Sequence, residues 1–208
     1  MLELGFSHCT SLTKVSLPSS LETIGYLSEY THNYIFNKCE NLKTITLPKD
    51  LWFIGYDAFS YTALKSIDIP DKVQYICAFH NCELLEKVSL PSALIKIDHG
   101  GFEGCKMLYN ITIPEKVSEI GNSAFEGCTS LVNIPELPAT ELVDYCYGYM
   151  FENCTSLVTA PQLPATILTT HCYSGMFSGC TSLTTAPQLP AITLANSCYT
   201  GMFYECTS

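Results

Sequence analysis

The feature that most limits what this chain can fold into is a short phrase, Phe-x-x-Cys, that keeps returning. It appears as FSHCTSL at Phe6, FNKCENL at Phe36, FHNCELL at Phe79, FEGCKML at Phe102, FEGCTSL at Phe125, FENCTSL at Phe151, FSGCTSL at Phe177 and FYECTS at Phe203, with a degenerate copy, FSYTAL, at Phe59. The phenylalanines follow one another at 30, 23, 20, 23, 23, 26, 26 and 26 residues. A period of that size makes each copy one supersecondary unit, too small to bury an apolar face alone. The copies must therefore stack around a shared core.

Within a copy the apolar pattern sets local structure. In the first five copies a leucine is followed by two residues, an aliphatic, one residue, an aliphatic and proline, as in Leu42, Ile45, Leu47, Pro48 and Leu108, Ile111, Ile113, Pro114. Aliphatics two apart face the same side of a short strand, and proline, with no N–H to donate, ends it. A second apolar pair three apart follows, such as Leu51 and Ile54 or Val117 and Ile120, and then often a glycine (Gly25, Gly55, Gly121) suited to a reversal. Asp57 to Phe59 and Ser123 to Phe125 suit a single helical turn. From Phe125 onward the prolines come in pairs (Pro135 and Pro138, Pro161 and Pro164, Pro187 and Pro190), which shortens any strand. The segment from Leu194 to Phe203 spaces its apolar residues like a helix of two to three turns.

These units resemble a known family. LKTITLPKDLWFIGYDAF and ITIPEKVSEIGNSAFEGCTSL closely resemble the BspA-like leucine-rich repeats of bacterial and protist surface proteins, and the Pro-rich units with Cys-Tyr and Met-Phe resemble a variant found in the same proteins. The expected fold class is accordingly α/β: a leucine-rich-repeat solenoid of short parallel strands stacked with bends and short helical turns. It is expected to form one domain over 1–208, with repeats of about 23 residues over 1–124 and Pro-rich 26-residue repeats with short helices over 125–208. The resemblance implies a cell-surface or secreted module that binds a host, matrix or partner protein and mediates adhesion, and it carries no catalytic residues over. An architectural spacer in a longer surface protein is the alternative; an unrecognised enzyme or metal protein is a third.

Charge removes other classes. Ten lysines and no arginine stand against twenty acids, for a net charge of −10, and every lysine lies at or before Lys116. No basic stripe exists to replace phosphate counterions, so nucleic acid is not an expected partner. No apolar run is long enough to span a bilayer. MLELGFSHCTSL lacks a basic segment followed by an apolar stretch, so no secretion signal is read in this sequence. Opening just before one unit and stopping inside another at Ser208, it reads as a fragment or as a protein whose ends a partner covers. Self-association through coil ends is a further expectation.

Twelve cysteines invite a disulfide or metal reading. Eight (Cys9, Cys39, Cys82, Cys105, Cys128, Cys154, Cys180, Cys206) share one repeat position, and Cys146, Cys172 and Cys198 share another, so they should stack in columns as small buried side chains with free thiols. In the shortened copy Tyr61 is read as filling the cysteine slot. Cys77, His80 and Cys82 offer three ligand types with no second pair nearby, so no metal or cofactor is expected. His8, His32, His99 and His171 stand in unrelated contexts. Nucleophile elbows, phosphate-binding glycine loops and zinc-protease helices are absent. Asn110 and Asn153 head glycosylation sequons, which matter only in a host that glycosylates.

Three surfaces are candidates for a protein or glycan partner. Two positions between the aliphatics of the second pair should face solvent, so stacking would set Trp52, Phe53, Tyr75 and Ile95 side by side as an apolar patch. The same side chains would equally serve to cover a packing defect beside the shortened copy. The first-coil insertion GYLSEYTHNYIF adds Tyr26, Tyr30 and Tyr34 in a long loop. The strand face offers Ser16, Thr46, Asp68, Ser89 and Thr112.

Overall fold

Short strands form where the apolar pattern places them. The computed structural model describes residues 5–25, 34–134, 137 and 141–208. Its strands are β1 (Lys14–Ser16), β2 (Thr23–Ile24), β3 (Thr44–Thr46), β4 (Phe53–Ile54), β5 (Ser66–Asp68), β6 (Tyr75–Ile76), β7 (Lys87–Ser89), β8 (Lys96–Ile97) and β9 (Glu119–Ile120). Each of the first four coils contributes a strand to both of two parallel strand sides. On one side β1 pairs with β3 and β5 with β7; on the other, β2, β4, β6, β8 and β9 make a continuous five-stranded sheet. Equivalent residues align without slippage: Val15 pairs with Ile45, Ile67 with Val88, and Ile54, Ile76, Ile97 and Ile120 form one row.

After β7 on the first side, and after β9 on the second, pairing is reduced to isolated bridges, Asn110 to Asn133, Thr159 to Thr185 and Ile167 to Thr193. The paired prolines explain the last two, since each proline removes one N–H from the ladder.

The third side of every coil is a run of turns that replaces the expected helices. No helix occurs among the described residues. Two features exclude one. Backbone N–H groups here point along the solenoid axis: Phe36 donates to Ala58, Phe59 to Ala78, Phe102 to Ala124 and Phe177 to Met202, each to the next coil's carbonyl at 2.8–2.9 Å. Left-handed residues also recur every fourth position, at Tyr145, Tyr149 and Asn153, then His171, Gly175 and Gly179, then Ser197, Gly201 and Glu205. A right-handed helix cannot include them, so the helical spacing of Leu194 to Phe203 is met instead by consecutive turns.

Inside this triangular section the phenylalanines form one file. Ring centroids from Phe6 through Phe36, Phe59, Phe79, Phe102, Phe125, Phe151 and Phe177 to Phe203 step by 5.3 to 5.9 Å with the planes within 13° of parallel. The file crosses the change of repeat length at Phe125 unbroken. Leucines from Leu42 to Leu157 and the isoleucine row pack beside it, fully buried.

The cysteine column is more than a hydrophobic ladder. All twelve thiols are free, and seven of them donate to a phenylalanine carbonyl of the preceding coils, from Cys39 to Phe6 at 3.0 Å through Cys105 to Phe79 at 3.2 Å to Cys206 to Phe177 at 3.1 Å. Burial pushes the thiols of Cys128 and Cys180 up to about 12 and that of Cys82 to about 11. They stay protonated, which keeps them donors and suppresses nucleophilic chemistry. The residue in the slot of the shortened coil is Thr62, not Tyr61: Thr62 is buried with its hydroxyl 3.4 Å from the Cys82 sulfur, while Tyr61 is exposed. A small polar group, rather than bulk, is what the position takes.

The 26-residue coils add a second ring file, Tyr147, Tyr173 and Tyr199, with centroids 5.9 Å apart. Tyr173 is 1% exposed and its hydroxyl meets no hydrogen-bond partner among the described residues. A buried hydroxyl left without a partner costs stability, so Tyr173→Phe is expected to raise the unfolding free energy by about 1 kcal/mol. Urea titration measures this; a loss on substitution would show that the hydroxyl is bonded in solution.

Candidate functional site

The turn side of the first five coils holds an open groove of about 550 Å³. Its lining follows from the repeat phase. The residue two after each phenylalanine sits in the left-handed region, at His8, Lys38, Tyr61, Asn81, Gly104, Gly127, Asn153, Gly179 and Glu205. Its N–H bonds to the next coil, as from Lys38 to the Ser60 carbonyl at 2.9 Å and from Tyr61 to that of His80 at 3.0 Å. With the backbone so held, side chains at and beside this position project outward. His8, His80 and His99, Tyr34, Tyr56 and Tyr61, and Lys38, Asp57 and Glu103 all line the groove.

These groups are partly organised by one another. The Lys38 ammonium lies 5.8 Å over the Tyr61 ring, and the other neighbour of that ring is His80, edge-on at 5.7 Å. His80 Nδ1 is 3.3 Å from a Glu103 carboxylate oxygen. Ser60 donates to Asp57 at 2.8 Å, the Tyr56 hydroxyl donates to Asp98 at 2.5 Å, and His99 Nδ1 donates to the Asn122 carbonyl at 3.1 Å. Acceptors and donors thus alternate along the groove. The Cys77 thiol donates to the His99 carbonyl at 2.9 Å and Cys82 turns inward, so with His80 on Glu103 the three potential ligands go to three different partners.

Glu103 holds the His80 imidazole above its ordinary 6.5, and His80 in turn holds Glu103 below its ordinary 4.5. What the raised histidine contributes is fully present below pH 6.5 and lost as pH rises through its folded value; what the lowered glutamate contributes is present above 4.5 and lost on acidification. Glu103→Gln is expected to lower the His80 titration, since the largest raising partner is lost and burial is then opposed only by the charges of Asp57 and Glu126. A proton NMR titration reads it, and an unmoved midpoint would show that the pair does not form.

The residues first proposed from the sequence fare differently. Phe53, expected to face solvent, is 6% exposed; the half-buried Trp52 lies against it with ring centroids 5.9 Å apart. The reason is register. Phe53 aligns with Thr23 and Trp52 follows Glu22, so beside these smaller or flexible neighbours the two rings fold onto each other. Tyr75 is exposed, but Ile95 is half-buried and bonds to Gln74, which stands between it and Trp52 in their column. The four do not form one continuous patch. Tyr34 joins the groove, while Tyr26 and Tyr30 lie outside the described residues. Ser16, Thr46, Asp68 and Thr112 are exposed on the strand face, where Ser89 donates to Asp68 at 2.6 Å.

The histidines correct the sequence reading most. His8 and His99, set in unrelated contexts along the chain, converge on one groove with His80, whereas His171 stacks on Tyr145 at 5.0 Å. Counting from the nearest phenylalanine would have shown this: they stand two after, three before and one after it.

Comparison with known proteins decides the family. The family model for the BspA type leucine rich repeat region matches residues 3–132 and 76–208, in six copies. The chain belongs to the BspA type leucine-rich repeat family. A crystal structure of a leucine-rich repeat protein from Bacteroides ovatus ATCC 8483 is similar with a TM-score of 0.63 and 26% identity, covering 88% of this chain and 56% of that one. The T. pallidum leucine rich repeat protein is similar at TM-score 0.50 and 25% identity, covering 88% of this chain and 69% of that one. The chain therefore spans a little over half the length of the Bacteroides relative. No curated protein matches. Within this chain the Phe, Cys, Leu and Ile columns recur from coil to coil, while the groove side chains differ from one coil to the next.

Proposed function

We propose that this BspA type chain is a cell-surface or secreted adhesion module that grips its partner through the turn-side groove. One observation carries the reading. At the left-handed position, coils five, six and eight use glycine (Gly104, Gly127, Gly179), whereas three of the five coils that line the groove place the large side chains of His8, Lys38 and Tyr61 there. A side chain in that conformation costs on the order of 1 kcal/mol, and such strain concentrates at functional sites. Glycine would serve the fold better, so the side chains are retained for what they present outward.

The test separates fold from function because it restores what the fold prefers. A Lys38→Gly, Tyr61→Gly double variant is expected to keep the parent's unfolding free energy to within about 1 kcal/mol, since relief of the left-handed strain offsets the unfolded-state entropy that glycine adds. It is also expected to lose binding on a panel of immobilised matrix proteins and glycans. A parent chain that binds nothing on the panel, or a variant that binds as well as the parent, overturns the proposal in favour of a spacer.

A further inference from the structure

We infer that the groove's ligand is a linear, equatorially linked chain of neutral sugars lying along the solenoid axis with one sugar ring to each coil. The inference rests on the proposed reading of the groove as a binding site, and adds its ligand class.

Spacing is the first argument. Equivalent positions in the groove coils repeat at the step of the phenylalanine file, 5.3 Å from Phe6 to Phe36, 5.4 Å to Phe59, 5.6 Å to Phe79 and 5.5 Å to Phe102. A pyranose chain linked through equatorial oxygens advances one ring and one bridging oxygen per unit, which is close to that step, so each sugar meets the same register of the next coil. An extended peptide advances about 3.3 Å per residue and falls out of phase within one coil.

Chemistry is the second. A sugar hydroxyl both donates and accepts, so it is matched by a groove in which Lys38 and His80 lie within a coil or two of Asp57 and Glu103. A polyanion would meet the two carboxylates, and a basic peptide would meet Lys38 and a His80 whose affinity for protons is raised. The Tyr61 ring, 39% exposed, supplies an apolar surface for the C–H face of a sugar. The groove is also open to solvent along its length rather than an enclosed cavity.

Calorimetry on the purified chain with cello- and chito-oligosaccharides of increasing length tests this. Maltohexaose, whose linkage is axial, and heparin, which is charged, serve as comparisons. Affinity should climb with length up to about five sugars, one for each groove coil, and then level off; Tyr61→Gly should weaken the longest ligand about tenfold or more. Maltohexaose and heparin should bind far less well. If no equatorially linked hexaose binds while a matrix protein binds in a manner that Lys38→Gly, Tyr61→Gly abolishes, the groove is a binding site and the sugar assignment is wrong. If nothing binds in a groove-dependent way, both readings fall. Preference for heparin, or an affinity already level at the disaccharide, overturns the inference as well.

Discussion

Replacing Phe102 by alanine should lower the unfolding free energy by about 3–5 kcal/mol, the range for removing a buried aromatic ring and leaving a cavity behind. Phe102 is fully buried, and its ring lies 5.5 Å from Phe79 and 5.4 Å from Phe125, so two stacking contacts are lost together with the side chain's own burial. The file offers no compensation from outside. Both flanking rings belong to neighbouring coils whose backbones are tied to this one, Phe79 N–H to the Gly101 carbonyl at 3.0 Å and Phe102 N–H to the Ala124 carbonyl at 2.8 Å, and cannot collapse inward without breaking those bonds. Because a solenoid holds together through nearest-neighbour interfaces, the damage should also be divisive: the denaturation curve is expected to split into two transitions, one for the coils on each side. Urea unfolding followed by circular dichroism measures both effects. A single sharp transition with a loss under about 1.5 kcal/mol would mean that the rings are not the continuous spine described.

How much of this was legible in the sequence depends on which interactions repeat. Phe, Leu, Ile and Cys recur because each coil's interior faces the same neighbours, so the columns, the parallel strands and the stacked rings could be read from spacing alone. The backbone of the turn side could not. Its left-handed residues include Gly104 and Gly127, which signal it, but also Lys38, Tyr61 and Tyr149, which do not. A helix-like apolar period at Leu194 to Phe203 was therefore read as a helix, although the N–H groups that would close one are spent on the adjoining coil. Thr62 was displaced by one place because the shortened copy has no cysteine to fix its phase. Phe53 was read as exposed because it lies between the two aliphatics of the second pair, whereas at a coil corner consecutive side chains can both turn inward, as Phe53 and Ile54 do. The groove was least legible of all. It is assembled from positions that differ in every coil, and only phasing each residue to its phenylalanine brings His8, His80 and His99 together.

Gly121→Ala tests whether the coils approach as closely as the hydrogen bonds require. The repeat alone suggests a harmless change, because Cys77 and Asp98 occupy the equivalent place after Ile76 and Ile97. Geometry says otherwise. A β-carbon on Gly121 would lie 2.5 Å from the backbone nitrogen of His99 and 2.9 Å from the carbonyl carbon of Asp98, and backbone atoms, unlike the end of a flexible side chain, cannot step aside. The same residue donates to the Ile97 carbonyl at 2.8 Å, next to the Ile97 to Ile120 pairing of β8 and β9. Relief of the clash must push the two coils apart and break that ladder, for a cost of about 3 kcal/mol, at the upper end of ordinary overpacking. Gly127→Ala is the control. There the β-carbon finds nothing nearer than the backbone of Gly104 at 3.8 Å, and only the left-handed backbone, with φ of 68°, is penalised. That substitution should cost about 1 kcal/mol. Two glycines six residues apart would then be required for different reasons, one for the space it leaves to the coil beside it and one for the angle it adopts. Equal losses for the two variants in urea titrations would refute the distinction.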